Sequence, residues 1–124
     1  MLQSNPIVAT VDDDRRVRES VQSVLESAGY NAVTFESAEA FLQSGALSTT
    51  TCVIADVRLP GMDGTALQRR IRLDRHQLPV ILITAHDDDD VRRQALRDGA
   101  FAFLVKPFDG GELLEQVAQA TNSA

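Results

Sequence analysis

The 124-residue chain has a length that suits one domain with a single buried core. Its 44% hydrophobic and 24% charged residues match ordinary globular usage, which excludes a disordered or fibrous class. A formal charge of −6 argues against direct binding to nucleic acid or anionic lipid, and no apolar run approaches the length of a membrane span.

In chain order, short apolar runs alternate with amphipathic stretches. The opening "MLQSNPIV" lacks a basic segment followed by an apolar one, so no secretory signal is expected. Ile7–Val11 reads as the first strand and ends in the acidic triplet Asp12-Asp13-Asp14. Val17, Val21, Val24, Leu25 and Ala28 then share one helical face, and Gly29 is a candidate C-terminal cap. Ala32–Phe35 is a second strand. Ser37 can cap a short helix that turns Phe41 and Leu42 inward.

The third strand, Cys52–Ala55, runs into Asp56. Its lone cysteine cannot form an internal disulfide, and its apolar setting predicts a small buried residue in a reducing, cytoplasmic compartment. Leu67 and Ile71 mark a third helix after Asp63-Gly64. Val80–Thr84 is a fourth strand, followed by the run Asp87–Asp90 and a helix carrying Val91, Ala95 and Leu96 that closes at Gly99. Acidic residues in a first turn complement the helix dipole, so the run is expected to open that helix. Phe101–Val105 is the fifth strand. Asp109 and Glu112 form a capping-box pattern ahead of Leu113, Leu114, Val117 and Ala118.

Five strand–helix repeats predict a doubly wound parallel sheet with helices on both faces, in one domain over 1–124 with its core at about 6–119. In such sheets functional groups gather at the carboxyl ends of the strands, beside the switch in strand order. Those ends carry Asp12, Asp13, Asp56, Thr84 and Lys106. With strand order 2-1-3-4-5, the first and third strands are neighbours and their carboxylates converge. Clustered carboxylates raise one another's pKa unless a cation compensates, and Mg²⁺ is held by carboxylates, water and phosphate oxygens. Lys106 is the only lysine among 12 basic residues and supplies a compact point charge. Thr84 adds a hydroxyl donor. Nucleophile, metal, cation and donor are the inventory for in-line phosphoryl transfer to a carboxylate. Taken singly, each residue reads as a turn, cap or surface position; their shared edge is what counts.

"VDDD", "VIADVRLPGMDG", "VILITAH" and "FLVKPF" resemble, in order and spacing, the receiver domain of two-component response regulators. The resemblance runs from Ile7 to about Val117, and "ITAH" and "KPF" look closest to receivers of the FixJ type. It implies a flavodoxin-like fold and a phosphorylation-controlled switch. Asp56 would take a phosphoryl group from a histidine kinase, a phosphotransfer protein or a small phosphodonor. Asp13, Asp56 and the backbone carbonyl of Arg58 would ligate Mg²⁺ (or Mn²⁺), with Asp12 acting through a metal-bound water. Thr84 and Lys106 would contact the phosphoryl oxygens, Phe103 would be the switch aromatic, and the Lys106–Pro107 bond would be cis. The domain would catalyse only its own phosphorylation and dephosphorylation. Phosphorylation-dependent homodimerisation is a further expectation of the family.

Arg58 and His86 lie two residues after Asp56 and Thr84, where they are candidates to screen attacking water and set the phosphoryl lifetime; exposed loop residues without kinetic effect are the alternative. Two other functions compete. One is a receiver-like binding module indifferent to phosphate, against which the retained Asp12, Asp13, Asp56, Thr84 and Lys106 count. The other is a phosphatase working through an aspartyl phosphate, which needs an acid–base carboxylate after the nucleophile; position 58 is arginine.

Overall fold

The computed structural model describes residues 5–122. Five strands, β1 (Ile7–Val11), β2 (Asn31–Phe35), β3 (Cys52–Asp56), β4 (Val80–Thr84) and β5 (Ala102–Val105), alternate with five helices. These are α1 (Arg15–Ser27), α2 (Ala38–Gln43), α3 (Gly64–Asp74), α4 (Asp89–Arg97) and α5 (Gly110–Asn122). All strand pairs are parallel and the order is β2-β1-β3-β4-β5, as the alternation predicts.

Every residue of β3 and β4 is buried, because helices cover both faces of the sheet. One core layer joins Ala9, Val11, Val53, Ala55, Leu82 and Phe103 to Phe41 of α2, Leu67 and Ile71 of α3 and Ala95 of α4. The other joins Val8, Ile54, Ile81, Ile83 and Leu104 to Val21 and Leu25 of α1 and Leu113, Val117 and Ala120 of α5. The period-two alternation along β5 sends Phe103 to the first layer and Leu104 to the second.

Caps set the helix boundaries. Asp14 Oδ1 accepts from Arg16 N at 2.9 Å, Ser37 Oγ from Ala40 N at 3.0 Å, and Asp63 Oδ1 from Ala66 N at 2.9 Å. Asp109 Oδ1 accepts from Gly111 N at 2.8 Å, so it caps α5 through the second residue of the helix and not through Glu112 as the capping-box pattern predicts. The helix α1 ends on Gly29, whose φ of +90° is the left-handed region that glycine enters freely.

Three boundaries differ from the sequence expectation. β2 begins one residue earlier, where Asn31 N donates to Pro6 O at 3.0 Å. β5 begins one residue later, at Ala102. β3 runs one residue further, to Asp56, which pairs with Ile83. The acidic run opens α4 as expected: Asp88 Oδ1 accepts from both Asp90 N and Val91 N as the cap, and Asp89 and Asp90 lie in the first turn. A short 3₁₀ turn at Ala46–Ser48 has no signature in the apolar pattern.

Candidate functional site

The carboxyl ends of β1, β3, β4 and β5 meet at one edge of the sheet. In register, Val11 pairs with Ala55, Asp56 with Ile83, and Thr84 with Val105. Asp12, Asp56, Thr84 and Lys106 therefore emerge side by side from strands next to one another. Parallel pairing at the switch point places them there, since β1 and β3 send their following helices to opposite faces.

Lys106 Nζ bridges two of the carboxylates. It donates to Asp56 Oδ2 at 2.8 Å and to Asp12 Oδ2 at 3.0 Å. The second oxygens are held by backbone: Asp12 Oδ1 accepts from Asp14 N at 2.8 Å, and Asp56 Oδ1 from Arg58 N at 2.9 Å. Asp12 is fully buried, and its backbone carbonyl accepts from Arg18 Nη1 at 2.8 Å. Burial lifts the Asp12 carboxyl above its ordinary range, and the Asp56 charge adds to that rise. The Asp14 N–H, the Lys106 hydrogen bond and the Lys106 charge pull the other way and do not prevail. Burial would likewise lower the Lys106 ammonium, but its hydrogen bonds to Asp56 and Asp12 and their charges outweigh this and hold it above its ordinary value.

One carboxylate oxygen each of Asp12, Asp13 and Asp56 lies within 4.8 Å of the others. Asp13 is exposed and has no hydrogen-bond or ion-pair partner among the described residues. Three hard oxygen donors, one of them uncommitted, fit a hard divalent cation better than a transition metal that prefers nitrogen or sulfur. The arrangement can hold a metal.

Thr84 is buried, and its Oγ1 accepts from His86 N at 3.1 Å, so the hydroxyl proton is free to point into the cleft. A cleft of about 580 Å³ opens there, lined among others by Asp13, Arg58, Pro60, Thr84, His86 and Asp88. Arg58 and His86 thus share one wall system, and both are exposed. Phe103 is buried on β5, and the Arg92 guanidinium carbon sits 5.2 Å from its ring centroid. Lys106–Pro107 is cis.

Sequence reasoning missed Gly64 as part of the site. A Cβ there would collide with the backbone carbonyl of Asp56 and lie 3.0 Å from Val57 Cα, so α3 can start this close to the end of β3 only on glycine. The "DG" pair was visible, but only as a helix start. The Arg18 and Arg92 contacts join residues whose meeting no local pattern encodes.

The sequence profile of the response regulator receiver domain matches residues 8–118. The chain belongs to the response regulator receiver family. It is the phosphorylation-controlled switch of a two-component system. Its relatives include the C4-dicarboxylate transport transcriptional regulatory protein DctD of Rhizobium meliloti, 40% identical over 119 residues that cover 96% of the chain and 26% of DctD. The transcriptional regulatory protein FixJ of Bradyrhizobium diazoefficiens is 34% identical over 117 residues, 94% of the chain and 57% of FixJ. FixJ thus stands among the relatives, as the "ITAH" and "KPF" segments suggest. The chain spans about a quarter of DctD's length and just over half of FixJ's. Among solved structures, a receiver domain protein from Clostridium thermocellum superposes with a TM-score of 0.90 at 26% identity, covering 95% of each chain. Among the receiver's described residues, no helix is long and apolar enough to cross a membrane.

Proposed function

We propose that Asp56 is the phosphoacceptor of this receiver. The observation that carries this reading is Lys106 Nζ bridging Asp56 Oδ2 and the buried Asp12 Oδ2, which places a fixed positive charge beside a carboxylate whose chain neighbours Val57 and Arg58 line an open cleft. A carboxylate oxygen of Asp56 attacks phosphorus. The bond from phosphorus to the imidazole nitrogen of a phosphohistidine, or to the acyl oxygen of acetyl phosphate, breaks, and its electron pair leaves with that atom. Lys106 and the Thr84 hydroxyl then stabilise the charge spread over the phosphoryl oxygens.

Asp13, Asp56 and the Arg58 carbonyl are the proposed ligands of Mg²⁺ (or Mn²⁺), with Asp12 reaching it through water. When bound, the cation neutralises phosphoryl charge. Asp12, held by Lys106 and the Asp14 N–H, keeps its orientation in the meantime. Arg58 and His86 flank the cleft and screen water from the aspartyl phosphate. Phe103 follows Thr84 as the switch aromatic, and α4, β5 and α5 form the surface that changes. The partners are a histidine kinase or phosphotransfer protein and, once phosphorylated, a second copy of the receiver. The chain acts as one unit with its core at about 6–119, in a reducing cytoplasm where Cys52 stays a thiol.

Intact mass after incubation with Mg²⁺ and acetyl phosphate tests this. The expected result is a single phosphoryl adduct on wild type, lost in Asp56→Asn and in a chelator. No adduct on wild type under any cation would overturn it.

A further inference from the structure

The segment from Val57 to Asp63 forms a wall of the cleft and carries Arg58. Its two ends are pinned. Val57 N donates to Ile83 O at 2.8 Å, Arg58 N to Asp56 Oδ1 at 2.9 Å, and Gly64 N to Val57 O at 3.0 Å. Asp63 is committed to capping α3. The tip of the turn, Leu59–Met62, packs Leu59 and Met62 against the core but makes one polar contact with another element among the described residues. That contact comes from Glu39, in the first turn of α2, whose Oε2 accepts from Met62 N at 2.9 Å.

The neighbouring backbone is shaped to admit it. Gly61 has φ +73°, the left-handed region, and a Cβ at Gly61 would lie 2.5 Å from Glu39 Oε2. Pro60 fixes its own φ between Arg58 and that glycine, so movement at the tip is passed back along a stiff segment. The Met62 N–H, followed by Glu39's own N–H, holds the carboxyl below its ordinary range, so Glu39 is an ionised acceptor at neutral pH.

We propose that Glu39 is a positioning residue for the cation site: its hydrogen bond to the Met62 N–H fixes the Leu59–Met62 turn and, through Pro60, the Arg58 backbone carbonyl. This rests on the reading of that carbonyl as a cation ligand. A carboxylate in the first turn of α2 also favours that helix's dipole, and the two roles separate cleanly. Glutamine keeps an oxygen that accepts from Met62 N but loses the charge; alanine loses both.

The test uses the whole chain as wild type, Glu39→Gln and Glu39→Ala. Mg²⁺ is titrated by calorimetry, adduct formation with acetyl phosphate is followed across Mg²⁺ concentration, and exchange of the Met62 amide is read by NMR. Glu39→Ala is expected to raise the half-saturating Mg²⁺ concentration about three- to ten-fold, the equivalent of one net hydrogen bond, and to speed Met62 exchange. At saturating Mg²⁺ its phosphorylation rate returns to near the wild-type rate, and Glu39→Gln behaves as wild type throughout. An unmoved Mg²⁺ midpoint in Glu39→Ala, or an equal loss in Glu39→Gln, would overturn the proposal while wild-type binding and adduct formation leave the phosphoacceptor reading intact. A wild type that binds no Mg²⁺ would bring down the cation site and this role together.

Discussion

Lys106 Nζ lies 2.8 Å from Asp56 Oδ2, although Asp56 ends β3 and Lys106 follows β5, with β4 between the two strands. The lysine crosses the carboxyl end of β4 and reaches the acceptor from the side, with Asp12 as its second partner at 3.0 Å. Lys106→Ala removes both contacts and leaves the buried Asp12 without its cation. Phosphorylation by acetyl phosphate at saturating Mg²⁺ should slow by about a hundred- to a thousand-fold, in line with the loss of one preorganised stabilising group. Time courses of intact mass measure this; a rate within about twofold of wild type would show that Lys106 only balances charge.

The contact of Gly64 with the backbone of Asp56 leads to a different expectation. A methyl group at position 64 has no free space, because the neighbouring atoms are main chain and cannot swing aside. Gly64→Ala should cost about 1–3 kcal/mol in urea denaturation, the usual range for overpacking. It should also slow adduct formation more than a remote substitution of equal stability cost, such as a truncation at Val117 on the far side of the sheet. Equal rates in the two variants would mean that the strain dissipates before it reaches the acceptor.

The contrast between these residues shows what a sequence carries. Asp12, Asp56, Thr84 and Lys106 were legible because each follows an apolar run, and parallel order alone brings strand ends together. The louder acidic run at Asp87–Asp90 resolves into separate local tasks: Asp87 pairs with Arg92 at 3.3 Å, Asp88 caps α4, and Asp89 and Asp90 lie in its first turn. Glu39 meeting Met62, Arg18 meeting the Asp12 carbonyl and Arg92 covering Phe103 were not legible. Those are long side chains crossing between elements, and no periodicity fixes where a flexible side chain ends.

Cys52 gives a pH-dependent prediction. Burial in β3 pushes its thiol up to about 12 from an ordinary value of 9.0. Above the ordinary value the unfolded chain releases the proton and the folded chain keeps it. The unfolded state then binds fewer protons, and stability falls as pH rises. The contribution is full below about 9.0 and is lost between there and about 12, at about 1.4 kcal/mol per pH unit. The comparison with Cys52→Ala isolates the thiol from every other group that titrates at high pH. Urea midpoints at pH 8.5 and 10 should converge between wild type and Cys52→Ala; a constant gap would place the thiol in a more polar setting than the sheet interior.

Arg58 and His86 are both exposed on the rim of the cleft that holds Asp13 and Thr84. Neither side chain has a hydrogen bond or ion pair among the described residues, so each can move over the acceptor without first giving up a partner. The His86 backbone, by contrast, is held by Thr84 Oγ1, which fixes where the imidazole starts. Water must approach phosphorus in line with the bond that breaks, and side chains over that approach slow it. Arg58→Ala and His86→Ala should each shorten the lifetime of the phosphorylated form by about two- to ten-fold, with the urea midpoint unchanged, as expected for exposed positions. The decay of the adduct after removal of acetyl phosphate gives the lifetime directly. Unchanged decay in both variants would assign the barrier to water to the backbone of the cleft.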